Sequence, residues 1–133
     1  MLTSTAIGRA GEYLAASAIE LLGWGVSVAN LQHIDFLAVN EDRVLKIQVK
    51  ATMRRNADGR YHFTLSACKR HMIKPQNVDI VALVMLDTKR VYFMSATGLG
   101  QTFAVNNTIL AMENMEQESW DAALKQCGDA KRG

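Results

Sequence analysis

The sequence predicts an α/β domain, a central mixed β-sheet flanked by α-helices, and three observations carry that expectation. A helical stretch near the N-terminus is followed by several short runs with strand character, and a second helical stretch lies near the C-terminus. The run Asp79-Ile80-Val81-Ala82-Leu83-Val84-Met85-Leu86 is apolar at nearly every position, as a strand buried on both faces must be. A chain of 133 residues, 49% hydrophobic with a single proline, suits one domain over 1–133 with one core.

The first helix is expected from a cap at Ser4 or Thr5 to about Leu22, with Gly23 and Gly25 flanking Trp24 as its stop. At roughly 100° per residue, Arg9, Tyr13, Ser17 and Glu20 form a polar stripe. Ile7, Leu14, Ala18 and Leu21 make one apolar flank, and Gly8, Ala15, Ala16, Ile19 and Leu22 the other. Glu12 falls within this second flank. A carboxylate on a buried arc is costly unless it is paired or holds a cation. Pairing with Arg9, or reaching out to solvent, is the plainer account.

Gly25 to Asn30 reads as a strand, and Leu31-Gln32-His33 as a connection. Ile34 to Val39 and Val44 to Lys50 then form a hairpin closed by Asn40-Glu41-Asp42-Arg43. Strand alternation turns Leu45, Ile47 and Val49 inward and Lys46, Gln48 and Lys50 the other way. Asp58-Gly59 marks a turn in the polar loop from Thr52 to Gly59. Tyr61 to Leu65 is a strand, and Cys68 to Gln76 a short helix or loop. The Asp79–Leu86 run turns through Asp87-Thr88-Lys89-Arg90 into Val91 to Met94. Thr102 to Val105 is a further short strand, and a last helix runs from a Ser119 cap over Trp120 to Cys127, with a frayed tail at 129–133.

Net charge is only +2, but its distribution is uneven. Residues 51–74 carry Arg54, Arg55, Arg60, Lys69, Arg70 and Lys74 against Asp58 alone, the footprint of a phosphate-binding surface or else of a solvated basic loop. Cys68 and Cys127 are isolated, without zinc-ligand spacing, which suits reduced thiols and a cytoplasmic location. No apolar run approaches the roughly 20 residues of a membrane span, and the N-terminus lacks a secretory pattern.

Three features line up in order: Glu12 on the first helix, Asp35 on a strand, and Gln48-Val49-Lys50 on the next strand. Metal-assisted phosphodiester hydrolysis needs hard oxygen ligands for Mg²⁺ or Mn²⁺ and a lysine beside them. A spacing of two along a strand puts ligand and lysine on one face.

The pattern resembles the PD-(D/E)XK nuclease superfamily. The matching residues are Gly8-Arg9-Ala10-Gly11-Glu12-Tyr13-Leu14-Ala15, Ile34-Asp35, and Gln48-Val49-Lys50 with Ala51-Thr52. Within it, the chain looks most like Holliday-junction resolvase-like proteins and the group I intron homing endonucleases that carry Gln-x-Lys. The resemblance implies a restriction-endonuclease-like core and a metal-dependent DNA endonuclease. It implies Asp35 as principal metal ligand, Gln48 and the Val49 carbonyl beside it, Glu12 completing the shell, and Lys50 as catalytic lysine. DNA, as junction, flap or duplex, would be gripped by Arg9, His33 and the six basic residues of 51–74. One site per chain implies a homodimer or higher assembly for cutting two strands.

Two positions depart from the family pattern. Ile34 stands where a proline is usual, and Gln48 where an acid is usual, so the site gains an oxygen without its charge. A DNA-binding or assembly protein on the same fold, weak or inactive in cleavage, is the alternative.

Overall fold

The structure, a computed structural model, describes residues 2–65 and 77–132. The segment read as a short helix or loop, with Lys69, Arg70, His71 and Lys74, lies outside them. The fold class matches the expectation: a mixed sheet with helices packed on it.

Helix α1 spans Ser4–Leu21 and is capped by Thr3, whose hydroxyl accepts the Ala6 N–H at 3.0 Å. The expected caps Ser4 and Thr5 lie inside the helix instead. Its buried line is Gly11, Ala15 and Ile19, a spacing of four that keeps one narrow face inward. Leu21, the last residue of α1 and assigned to an apolar flank, is 86% exposed, although Leu14 and Ala18 of that flank pack against the core. Gly23 takes φ +94° to reverse the chain, a conformation open to glycine.

Strands β1 (Gly25–Leu31), β2 (Ile34–Val39), β3 (Val44–Thr52), β5 (Ile80–Met85) and β6 (Arg90–Ser95) form a five-stranded sheet in the order β1-β2-β3-β5-β6. The first three are an antiparallel meander, β3 and β5 run parallel, and β6 returns antiparallel. A second sheet pairs β4 (Tyr61–Thr64) with β7 (Thr102–Val105), antiparallel. Helix α2 is Asn107–Leu110, and α3 runs Met115–Arg132.

The last helix therefore starts five residues before the expected Trp120 and continues to Arg132. Ser119 does not cap it. The Ser119 side chain is buried within α3, and its hydroxyl accepts the Phe93 N–H at 3.0 Å. Glu116 fastens the same helix to β6, taking the Arg90 guanidinium at 2.9 and 3.1 Å and the Val91 N–H at 2.9 Å. Burial pushes the Glu116 pKa up, but the bonds from Arg90 and Val91 outweigh it and hold the carboxyl below its ordinary range.

Each face of the main sheet has its own core. Ala15 and Ile19 of α1 and Trp120 and Ala123 of α3 cover Leu45, Ile47, Ile80, Ala82 and Val84 on one face. Trp120 stands edge-on to both Trp24 and Phe93, with centroids 5.4 and 5.0 Å away. On the other face, Tyr61, Phe63, Val105 and Met115 cover Val81, Leu83 and Met85. No helix among the described residues is long and apolar enough to cross a membrane.

Candidate functional site

The site forms where β2 and β3 part. Their paired residues run from Val39↔Val44 to Phe36↔Ile47 and stop there, although β2 begins at Ile34 and β3 continues to Thr52. The backbone of β3 past Ile47 keeps β5 on one side and loses β2 on the other. Asp35 fills that gap: its Oδ2 accepts the Val49 N–H at 2.8 Å. One carboxylate oxygen thus satisfies an amide that the fork would leave unpaired.

Glu12 enters the same gap from α1. Partial burial, then the neighbouring Asp35 charge and a hydrogen bond between the two carboxyl groups, raise its pKa above the ordinary 4.5; Arg9 pulls the other way. The helix can come this close because Gly11 faces β3. A methyl group added to Gly11 would stand 2.5 Å from the Ala51 Cβ.

Gln48 and Lys50 lie on the β3 face opposite Leu45 and Ile47, as alternation requires. The Gln48 Oε1 is buried and has no hydrogen-bond partner among the described residues. Orphaned buried oxygens are rare, since each forfeits about 1–3 kcal/mol of solvation. A donor or a cation would satisfy this acceptor. Asp35 and Glu12 bring carboxyl groups to the same fork, and Gln48 brings an oxygen without charge. Among the described residues no group of three or more His, Cys, Asp or Glu side chains could hold a metal.

His33, at the tip of the β1–β2 hairpin, has φ +68° and is half-buried. The turn there has two residues, Gln32 and His33, between the Leu31↔Ile34 pair. Arg9 is exposed on the first turns of α1. Arg54 and Arg55 are exposed in the loop after β3, where the Arg55 guanidinium sits 5.5 Å from the centre of the Tyr61 ring. Arg60 has a different fate. Its Nε and Nη2 bind Asp58 at 3.1 and 3.0 Å, and Asp58 also meets the His62 Nε2 at 2.7 Å. The Arg60 backbone N–H, then His62, hold the Asp58 carboxyl down to about 2.

Two anchors of the site were not picked out in the sequence. Asp79 accepts the Lys46 N–H at 2.8 Å and returns its own N–H to the Lys46 carbonyl at 2.9 Å, fixing β3 from its β5 side. The Tyr61 hydroxyl donates to Asp87 at 2.8 Å and ties β4 to the end of β5. A lone carboxylate opening the most apolar run of the chain was the signal for Asp79.

No protein-family model matches the chain, and no curated protein matches it. Among solved structures, that of a bacterial homing endonuclease, I-Ssp6803I, is similar over 99% of this chain and 99% of that one, with a TM-score of 0.73 and 17% sequence identity. At that identity the likeness shows the fold.

Proposed function

We propose that the chain is a divalent-metal-dependent DNA endonuclease of the PD-(D/E)XK type, hydrolysing phosphodiester bonds. The observation that carries the reading is the convergence of Glu12 and Asp35 in the β2–β3 fork, on the strand that presents the orphaned Gln48 oxygen. The likeness to a homing endonuclease supports it.

The residues fit Mg²⁺ or Mn²⁺. The Glu12 carboxyl, its pKa raised by burial and then by Asp35, and a buried amide oxygen without a donor among the described residues are hard ligands short of a positive charge. Glu12, Asp35 and Gln48 would hold the ion, with the carbonyl of Val49, whose N–H already faces Asp35. When bound, the ion would polarise the scissile phosphate and offset the charge that builds on it.

Asp35, with one oxygen held by the Val49 N–H, would offer the other to the ion. Lys50, on the Gln48 face, orients the attacking water by hydrogen bonding. It also places a cation against the phosphate oxygens. Arg9, His33, Arg54 and Arg55 grip the backbone beside the fork, and Lys69, Arg70 and Lys74 would add to that grip. Arg60 contributes less because Asp58 already occupies it. A homodimer would supply the second site for a second strand, and a junction, flap or duplex are the candidate substrates.

The test is cleavage of a labelled panel (four-way junction, flap, duplex, single strand) in Mg²⁺, Mn²⁺ or EDTA, beside Asp35→Ala and Lys50→Ala. Metal-dependent cutting by the wild type, reduced about a thousandfold or more in both variants, is the expected result. Binding of the panel with every member left intact in both metals overturns it. The uncharged Gln48 favours the second reading in that event, a DNA-binding protein without cleavage, and Gln48→Glu would then be tried as the rescue.

A further inference from the structure

Gly11 stands in the middle of α1, where alanine would favour the helix more. Nothing in its own helix calls for glycine, since it adopts no positive φ. The requirement comes from across the interface. A Cβ at Gly11 would lie 2.5 Å from the Ala51 Cβ, 3.8 Å from the Ala51 Cα and 3.9 Å from the Val49 Cγ1. Ordinary carbon contacts are about 3.5–4.0 Å, so helix and strand would have to separate by about 1 Å. Ala51 has no flexible end to swing aside. Gly8, one turn earlier, meets nothing within 4 Å and shows what an unconstrained glycine of this helix looks like.

The contact falls at a telling place. Gly11 precedes Glu12, Ala51 follows Lys50, and Val49 is the residue whose N–H Asp35 holds. The spacing between α1 and β3 at this one point therefore fixes how far Glu12 lies from Asp35.

We infer that Gly11 is a positioning residue of the site: its missing side chain sets the helix-to-strand distance at which Glu12 and Asp35 converge on one cation. This rests on the reading of those carboxylates as a metal-holding pair. The packing contact with Ala51 is the lever, so the two positions compensate. Enlarging one opens the site, and shrinking the other closes it again.

The experiment follows Mn²⁺-induced broadening of backbone amide signals at 34–36 and 48–50 by NMR, titrated in wild type, Gly11→Ala, Gly11→Ala/Ala51→Gly, Gly8→Ala and Ile19→Val. Melting temperatures are recorded alongside. Wild type is expected to show site-localised broadening, and Gly11→Ala to need about tenfold or more Mn²⁺, in line with the effect of ångström-scale misplacement. The double variant is expected within about threefold of wild type. Gly8→Ala, equal in helix propensity, and Ile19→Val, a core change about two turns further along the same buried face, are expected to leave the titration unchanged whatever their melting temperatures. Gly11→Ala titrating like wild type overturns the inference while the metal reading stands. So does a loss that Ala51→Gly leaves uncorrected, or an equal loss in Ile19→Val. A wild type without broadening at these residues overturns the metal reading, and the inference falls with it.

Discussion

β3 and β5 lie side by side in parallel, paired from Ile47↔Ile80 to Thr52↔Met85, and share the same helical cover on one face. On the other face they differ. β5 turns Val81, Leu83 and Met85 under the β4–β7 sheet, and every one of its six residues is fully buried. β3 turns Lys46, Gln48 and Lys50 to that side, each only half-buried. The second sheet buries β5 completely, while β3, which β4 also approaches, keeps partly exposed polar residues. Where cover is complete the sequence is apolar on both faces. Where cover is incomplete, polar groups survive, and the Asp35 carboxylate meets β3 at the Val49 N–H.

The register pair Lys50↔Leu83 sets the two strands against each other most sharply. Leu83→Ala is expected to lower unfolding free energy by about 2–5 kcal/mol through lost burial and a residual cavity. Lys50→Ala is expected to stay within about 1 kcal/mol of wild type. Denaturant titrations of both variants check this, and a Lys50→Ala loss as large as that of Leu83→Ala would erase the distinction between the strands.

A smaller effect is expected from Gln48→Glu, which puts a third carboxylate beside Glu12 and Asp35. Without divalent ions it should destabilise the fold by about 1–2 kcal/mol through like-charge crowding. With Mn²⁺ the order should reverse, because an added charged ligand tightens binding. Thermal melts with and without Mn²⁺ give both signs.

Glu12→Gln tests the fork through pH. The folded pKa of Glu12 lies above the unfolded 4.5, so wild type is fully favoured below 4.5 and loses that contribution as pH rises through the folded value. Metal-free Glu12→Gln should therefore melt higher than wild type at pH 7, with the gap closing below pH 4.5. Equal gaps at both pH values would show that neither burial nor the Asp35 neighbour strains Glu12.

The smallest change belongs to Asp58→Asn, an exposed site. Releasing Arg60 should steepen the salt dependence of DNA binding by no more than about 0.9 in log–log slope, and an unchanged slope would mean that Arg60 stays away from phosphate.

The parts of this site that were legible in the sequence are those set by local periodicity. Asp35, Gln48 and Lys50 follow from strand alternation within one hairpin, and Glu12 from its place on a helical arc. The buried run Ile80–Met85 announced itself by composition. What stayed hidden joins residues far apart in the chain. The contact of Gly11 with Ala51, the bond of Tyr61 to Asp87 and the pairing of β4 with β7 have no short-range signature. Charge counting treated Arg60 as available, because a two-residue turn contact with Asp58 depends on backbone geometry that composition does not carry. Ser119 looked like a cap because its residue type favours one, and its burial against Phe93 overrode that preference.

The separation of Tyr61 from Val105 has one more consequence, in the order of assembly. β1, β2 and β3 close on one another through short turns, so the fork gathers at little loop-closure cost. The β4–β7 pair must wait until β5 and β6 have been laid down between its halves. A refolding chain would thus hold its carboxylates at the fork while Leu83 and Met85 still faced water. The last event of folding would then be the drying of β5, after the fork on β3 had taken shape.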